Sequence, residues 1–210
     1  MAHAFQNFAR ITGQLIVGSQ PQNAADINTL YNSETVRAIE SLQESSEDLN
    51  NFNEGQDCRQ KGIAYERVPI IDETPSSVQT QLPVAVGILA KAIREKADGP
   101  GQKVYLHCRA GLGRSPSVAA AYLYWFTNDT LDAACKSLRE KRTHSSETPY
   151  RDAIRGATYD ILRLNNESDN FPKNFSELPL DAFSTIDEDP QKLTIRGYVN
   201  QLQEVLNAWL

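Results

Sequence analysis

The chain has 210 residues, of which 40% are hydrophobic and 23% are charged, and its formal net charge is −6. A chain of this length and composition can bury a core without disulfide or metal support. The acidic balance argues against broad binding to nucleic acid or to anionic membranes, although it is compatible with a local basic pocket. No apolar run approaches the ~20 residues that span a bilayer, and the first residues lack the pattern of a secretory signal.

The cysteines indicate neither a disulfide framework nor a metal site. Cys58, Cys108 and Cys135 form no CxxC motif and no zinc-ligand spacing. An unpaired count fits an intracellular, reducing compartment. We therefore expect no metal and no cofactor, and the spare thiols prompt only the hypothesis of a redox disulfide between Cys108 and Cys58 or Cys135.

The predicted elements alternate between strands and helices. Strands are predicted over 14–17, 35–42, 64–71 and 104–106, and helices over 22–31, 82–96, 115–125, 131–142 and 150–164. Residues 45–57 indicate a loop or a weak helix, and residues 72–77 an exposed, turn-rich loop. The alternation predicts an α/β fold with a central, mainly parallel sheet flanked by helices.

The last quarter of the chain differs from the rest. Residues 165–173 have the polar composition of a linker, and a last helix is predicted over 191–209. A segment of this size cannot easily support a core of its own. We therefore expect a catalytic domain over 1–164 and a helical C-terminal extension over 165–210 docked on it.

The most informative segment is VYLHCRAGLGRSP, residues 104–116. A strand delivers Cys108 to a loop with two glycines, and Arg114 follows at the start of a helix. The helix dipole favours a thiolate there, and the glycines let successive amides point inward around a phosphate. The arginine fork grips two phosphate oxygens, as lysine cannot. An ordinary strand–turn–helix connection with a core cysteine explains none of this pattern.

Residues His107 to Ser115 match HCxxGxxR[ST], the signature of cysteine-based protein tyrosine phosphatases, and the short chain resembles the dual-specificity branch. The resemblance implies a phosphocysteine intermediate and no metal, with Cys108 as nucleophile and Arg114 stabilising the transition state. His107 would orient the loop, and Ser115 would assist release of the thiolate. The loop residues implied in phosphate binding are Arg109, Ala110, Gly111, Leu112, Gly113 and Arg114.

The mechanism also needs a general acid from elsewhere in the chain. In the family this is an aspartate on the loop before the long helix, and Asp72 stands at that place. Glu73 is its nearest competitor, and an Asp there also fits a simple turn-capping role.

Several further segments resemble the plant glucan phosphatases of the starch-excess and like-starch-excess group. These segments are Leu15–Ser19, Leu82–Gly87, Asp152–Leu162 and the C-terminal stretch with Leu178-Pro179. The resemblance implies phosphorylated starch or a similar glucan as substrate, and a plastid location. No separate carbohydrate-binding domain fits in this length.

The chain departs from that group at several positions. Arg109 and Ser115 stand where the group usually carries Thr or Ser and Ala, and the acid loop has no aromatic ring. Arg109 favours a more anionic substrate or is simply a solvated side chain. Because sugars stack on aromatic faces, Phe52 and Tyr150 become the candidates for glucan contact, although each is also a typical packing residue.

The sequence is compatible with three functions. The first is a glucan phosphatase, and the alternative is a dual-specificity phosphatase acting on phosphoproteins or phosphoinositides. The third is an inactive scaffold that binds glucan or a partner, against which the intact set of Cys108, Arg114 and Asp72 argues.

Overall fold

A computed structural model describes residues 7–127, 129–142, 150–166, 173 and 190–208, with side chains to 205 at the C-terminal end. It shows an α/β fold whose five-stranded sheet has the strand order β1-β2-β5-β3-β4. The strands are β1 (Phe8–Arg10), β2 (Leu15–Ser19), β3 (Val36–Ser41), β4 (Ala64–Arg67) and β5 (Lys103–Cys108). Strand β1 is antiparallel to β2, and the other pairs are parallel. The predicted fold class is confirmed.

Helices cover both faces of the sheet. The described helices are α1 (Ala24–Asn32), α2 (Glu54–Lys61), α3 (Pro75–Lys96), α4 (Arg114–Phe126), α5 (Leu131–Lys141), α6 (Arg151–Leu164) and α7 (Pro190–Ala208). Helices α1 and α2 close a smaller apolar cluster on one face, and α3 to α7 close the main core on the other. Helix α4 is buried nearly all round, because three consecutive alanines let it approach the sheet closely.

The structure corrects several predicted boundaries. The long helix begins at Pro75 rather than at Leu82. Pro75 occupies the first turn of α3, where a proline is well tolerated, whereas Pro83 lies inside the helix. Within 45–57, a short 3-10 helix spans Ser45–Glu47, and α2 begins at Glu54.

Two strand predictions also need correction. The strand predicted over 64–71 ends at Arg67. Beyond it, the amides of Val68 and Ile70 still donate to the carbonyls of Ser41 and Leu42, so the chain runs beside β3 without regular pairing. Strand β1 was not predicted, because three residues carry too little periodicity.

Helix α7 packs on the rest of the fold through both apolar and polar contacts. Its Ile195 and Val199 are buried in the main core. Lys192 Nζ donates to the carbonyls of Thr127 and Asp129, at 2.8 and 3.0 Å. Trp125 is fully buried in the core, as predicted, whereas Trp209 and the linker residues 167–172 lie outside the described residues.

None of the described helices is both long enough and apolar enough to cross a bilayer. Cys58, Cys108 and Cys135 are all free and buried. Cys58 belongs to the cluster beneath α1 and α2, whereas Cys108 and Cys135 belong to the main core. Burial raises the pKa of the Cys58 thiol, and the charges of Glu54 and Asp57 raise it further.

Candidate active site

The carboxyl ends of the four parallel strands meet at one edge of the sheet. In parallel α/β sheets this edge is where ligands bind. Strand β5 ends at Cys108, and the connection after β3 carries Glu47. The connection after β4 carries Asp72. The topology therefore brings three distant parts of the sequence to one place.

The loop between β5 and α4 curls around the Cys108 sulfur. The Gly111 amide donates to Cys108 Sγ at 3.3 Å, and the Ser115 hydroxyl lies 3.4 Å from the same sulfur. Ser115 Oγ also reaches the Gly18 carbonyl at 3.5 Å. Arg109, Ala110 and Leu112 are exposed around the loop. This is the arrangement in which an amide and a hydroxyl stabilise a thiolate.

Gly111 is the position of the loop where a side chain does not fit. Its φ is +70°, in the left-handed region that favours glycine. A Cβ there would collide with the backbone of Gly18 and with the guanidinium of Arg142. The tight curl of the loop therefore depends on this glycine.

Arg114 is fully buried and holds the edge of the sheet together. Its Nη1 and Nη2 donate to the two carboxylate oxygens of Glu47, at 2.6 and 2.8 Å. Nη2 also donates to Asp72 Oδ2 at 3.1 Å, and Nη1 to the Ile70 carbonyl at 3.0 Å. Its Nε is buried without a hydrogen-bond partner in the described part of the chain.

Glu47 was not identified from the sequence. The hydrogen bond from Arg114 lowers the pKa of Glu47, against a smaller opposing effect of burial. Burial disfavours the charge of Arg114, but the hydrogen bond with Glu47 and the charges of Cys108 and Asp72 raise its pKa. Glu47 lies after β3 in a polar segment that also holds Glu44 and Asp48, so no sequence pattern distinguishes it from a solvated side chain.

Asp72 lies in an exposed turn beside this arginine. Its side chain is 52% exposed, although Oδ2 bonds Arg114. Its Oδ1 accepts from the Glu73 amide at 3.1 Å, and Thr74 Oγ1 donates to the Asp72 carbonyl at 3.1 Å. Both a catalytic and a turn-capping role are therefore compatible with its contacts. The competitor, Glu73, has a φ of +55°, which is strained for a non-glycine residue.

His107 is buried between two acceptors. Its Nε2 lies 2.9 Å from Glu54 Oε1, and its Nδ1 lies 3.4 Å from the Cys108 carbonyl oxygen. Its ring also stacks on Tyr105. Glu54 is a second acidic residue that sequence reasoning missed, since it lies in the segment predicted as a loop or weak helix.

The two candidates for glucan contact have different surroundings. Phe52 is partly buried against the α1–α2 cluster and lines a polar cavity of about 610 Å³. Tyr150 is 8% exposed and lies within the main core. Burial and the charge of Asp72 raise the pKa of Tyr150, and an interaction with the Glu73 backbone opposes this. Tyr150 is therefore adjacent to the acid loop rather than to the polar cavity.

These groups suit one kind of chemistry. The Cys108 sulfur accepts a bond from the Gly111 amide, the buried guanidinium of Arg114 is close enough to interact with its charge, and the Asp72 carboxylate contacts that guanidinium. Among the described residues, no cluster of three or more His, Cys, Asp or Glu side chains is arranged to hold a metal ion. Transfer of a phosphoryl group to sulfur and then to water requires groups of these kinds.

Comparison with known proteins agrees with this chemistry. The family model "Dual specificity phosphatase, catalytic domain" matches residues 29–155. The phosphoglucan phosphatase DSP4, amyloplastic, of Castanea sativa is 36% identical over 162 residues, covering 74% of this chain and 41% of that protein. The chain thus spans less than half the length of that relative.

Two further similarities come from animals and from a solved structure. Phosphatidylglycerophosphatase and protein-tyrosine phosphatase 1 of Rattus norvegicus is 27% identical over 142 residues, covering 68% of this chain and 70% of that protein. A crystal structure of PTPMT1 in complex with PI(5)P has a TM-score of 0.63 at 24% identity, covering 77% of this chain and all of that one. The shared fold and the family match together show that the chain belongs to the dual specificity phosphatase family.

Proposed function

We propose that the protein hydrolyses phosphate monoesters through a phosphocysteine intermediate, and that its substrate is a phosphorylated, starch-like glucan. The observation that carries the reaction is the contact between Arg114 Nη2 and Asp72 Oδ2, 3.1 Å apart. It places the proposed acid beside the proposed phosphate-binding group, which itself lies in the loop around Cys108. Residues 1–164 form the catalytic domain in this proposal, and residues 165–210 are its docked extension.

In the first step, the Cys108 thiolate attacks phosphorus and a sulfur–phosphorus bond forms. The bond from phosphorus to the sugar oxygen breaks, and protonated Asp72 gives its proton to that oxygen. Arg114 and the loop amides from Arg109 to Arg114 hold the phosphoryl oxygens, whose charge they stabilise in the transition state. The dephosphorylated glucan then leaves.

In the second step, the Asp72 carboxylate takes a proton from a water molecule. The water oxygen attacks phosphorus, and the sulfur–phosphorus bond breaks. Cys108 leaves as a thiolate, which the Ser115 hydroxyl and the Gly111 amide stabilise at 3.4 and 3.3 Å. Asp72 is then protonated again, and inorganic phosphate is released, so the protons balance over the cycle.

A polar groove beside the loop supports a hydroxyl-rich substrate. Gln20, whose backbone N–H donates to the Arg109 carbonyl at 3.1 Å, lines the cavity of about 610 Å³. The cavity is lined mainly by amide and carboxylate side chains, including Asn50, Asn51, Asn53, Gln56 and Gln60. Such groups both donate to and accept from sugar hydroxyls. Phe52 adds one ring face to this wall.

The similarity to a phosphoglucan phosphatase is the second support for a glucan. That relative is named for amyloplasts, so we propose a plastid location and a role in starch metabolism for this protein. Nucleic acid does not enter the proposal, since the net charge is −6.

A dual-specificity phosphatase acting on a lipid or protein phosphate is the second candidate. The relative from Rattus norvegicus carries phosphatidylglycerophosphatase and protein-tyrosine phosphatase in its name, and the chain covers 70% of its length. The specific observation in its favour is Arg109, which is exposed beside the nucleophile and adds positive charge there. The higher identity to the plant relative and the amide-lined groove favour the glucan.

The deciding experiment measures phosphate release from solubilised, phosphorylated amylopectin. Cys108→Ser serves as the blank, and para-nitrophenyl phosphate and a short-chain phosphatidylinositol phosphate serve as parallel substrates. We expect release from amylopectin that exceeds release from the lipid. Turnover of the lipid with none of the glucan would contradict the glucan proposal, and no turnover of any substrate would favour the inactive scaffold.

Phe52 is tested in the same assay. Phe52→Ala removes the ring from the groove, so we expect amylopectin kcat/KM to fall about fivefold while turnover of para-nitrophenyl phosphate is unaffected, since one aromatic contact is worth about 1 kcal/mol. Tyr31→Ala is the matched control, because Tyr31 packs against the same cluster and is absent from the residues lining the groove. An equal loss for both substrates would show that Phe52 serves packing alone.

A further inference from the structure

Arg142 is a buried arginine that the sequence analysis did not connect with the reaction. It follows α5 directly, and it is only 5% exposed. Its Nε donates to the Gly111 carbonyl at 2.6 Å, and its Nη2 reaches the Ala110 carbonyl at 3.4 Å. The guanidinium therefore contacts two consecutive carbonyls of the loop that surrounds Cys108.

The same guanidinium also contacts strand β2 and the residue that precedes β1. Nη1 donates to the Val17 carbonyl on β2 at 3.3 Å and lies 3.4 Å from the Asn7 carbonyl. Nη2 donates to Asn7 Oδ1 at 3.0 Å. Arg142 thus links the loop to the backbone of two neighbouring segments, and its planar fork fixes the directions of these bonds.

The two loop contacts determine which way two peptide groups face. In a trans peptide the carbonyl and the following N–H point in opposite directions. With the Ala110 carbonyl turned toward Arg142, the Gly111 N–H points to Cys108 Sγ, where it donates at 3.3 Å. With the Gly111 carbonyl turned the same way, the Leu112 N–H is directed away from Arg142.

These two contacts are needed because Gly111 makes the backbone of the loop easy to rearrange. Glycine adopts positive and negative φ about equally well, so the φ of +70° at Gly111 is not fixed by the residue itself. A rotated peptide would turn a carbonyl oxygen toward the sulfur and the phosphate, where it would repel both. The hydrogen bonds from Arg142 to the Ala110 and Gly111 carbonyls disfavour that rotated arrangement.

We propose that Arg142 is the positioning residue that fixes the peptide groups of the phosphate-binding loop in their donating orientation. The proposal rests on the phosphatase function proposed above. Arg142 acts through the loop and does not touch the substrate. Its charge contributes as well: burial lowers the pKa of Arg142, but the neighbouring Cys108 opposes this, so the cation and a Cys108 thiolate attract each other.

The test compares Arg142→Ala and Arg142→Lys with the matched control Arg139→Ala, whose arginine is exposed on the same helix. The readouts are kcat and KM for para-nitrophenyl phosphate, the affinity for inorganic phosphate by calorimetry, and thermal unfolding. We expect Arg142→Ala to lower kcat/KM about 100-fold, the scale of losing an oriented backbone donor, and to weaken phosphate binding. Arg139→Ala should leave both unchanged.

Chemical rescue distinguishes a role of Arg142 in orienting the loop peptide groups from a role in stabilising the fold as a whole. Low concentrations of guanidinium should restore part of the activity of Arg142→Ala, because the cation fills the space left under the loop. Arg142→Lys should recover only part, since an ammonium cannot match the fork. Full activity in Arg142→Lys would overturn the proposal, as would folded Arg142→Ala with normal kcat/KM and normal phosphate affinity.

The design remains informative if one part fails. Should Arg142→Ala not fold, Arg142→Lys carries the comparison, and its reduced phosphate affinity at normal thermal stability supports the proposal. Should the wild-type protein hydrolyse no phosphate ester, the proposed function fails, whereas the calorimetric comparison of phosphate binding still tests Arg142.

Discussion

The loop that holds Cys108 and the loop that holds Asp72 meet at the same edge of the sheet but are built differently. Cys108 is 2% exposed and Arg114 is fully buried. Arg142 donates to the first loop, and Gly18 and Glu47 accept from the first two residues of α4, which follow it. The Asp72 side chain is 52% exposed. The groups proposed to bind phosphate are therefore fixed by contacts with other elements, whereas the proposed proton donor is exposed to solvent.

This difference suits the two tasks. Charge stabilisation in a transition state works best with dipoles that are already oriented. A proton donor must be recharged from solvent during each cycle and also reach two successive oxygens. The comparison predicts that changes in the first loop lower activity toward every substrate, whereas changes in the second lower it in a manner that depends on the leaving group.

The largest effect is expected from Gly111→Ala. A methyl group would meet the Gly18 backbone and the Arg142 guanidinium, and the φ of +70° is unfavourable for alanine. We expect at least about a 100-fold loss of kcat/KM, comparable with losing an oriented donor. The control is Gly101→Ala, with a φ of +74° but nothing within 4 Å of the added methyl. Equal losses of activity in the two variants would contradict this role for the loop geometry.

Asp72→Asn tests the other loop. Because loss of a general acid typically costs 10²–10⁴-fold, we expect kcat on phosphoglucan to fall about 100-fold. The loss on para-nitrophenyl phosphate should be smaller, because nitrophenolate leaves without full protonation. Glu73→Gln is the control, and the leaving-group dependence would be transferred to that variant if Glu73 were the acid.

Glu47→Gln replaces the carboxylate that accepts two hydrogen bonds from the Arg114 guanidinium. We expect kcat to fall about tenfold, which is a smaller loss than that expected from Gly111→Ala. Its pH dependence is more specific. The lowered pKa of Glu47 means that its stabilisation is present above the ordinary carboxyl pKa and is lost as pH falls through the folded-state value. The melting temperature should therefore fall less steeply between pH 6 and 3 in the variant than in the wild type. Parallel curves of melting temperature against pH would contradict the ion pair between Glu47 and Arg114.

The comparison of the two loops also explains what the sequence could predict. The signature from His107 to Ser115 is local, so its residues and spacing are readable directly, and the regular alternation of elements predicted the fold class. Glu47, Glu54 and Arg142 are far away in sequence, and each acts through a contact that exists only once the sheet is assembled. A polar residue in a polar loop carries no periodicity, so no pattern distinguishes such a partner from a solvated side chain.

The smallest effect concerns the strand below the buried loop. Glu40 on β3 is 1% exposed, and its two carboxylate oxygens have no hydrogen-bond partner in the described part of the chain. Glu66 lies opposite it on β4. Burial, and then the charge of Glu66, raise the pKa of Glu40 well above its ordinary value. Leu42, two residues later, accepts from Arg114 Nη1 at 3.3 Å.

A raised carboxyl pKa means that the folded state holds a proton that the unfolded state releases. The cost to stability is absent below the ordinary carboxyl pKa and grows as pH rises toward the folded-state value. Glu40→Gln removes this cost, so its melting temperature should exceed that of the wild type by a few degrees at pH 8 and match it at pH 4. Glu66→Gln should give a smaller gain in melting temperature, and activity should be unchanged in both variants.

A gain in melting temperature that is equal at both pH values would show that the benefit comes from packing and not from the buried proton. Lost activity would mean instead that Glu40 supports Arg114 through the backbone at Leu42, which would extend the fixed region from the loop into the strand beneath it.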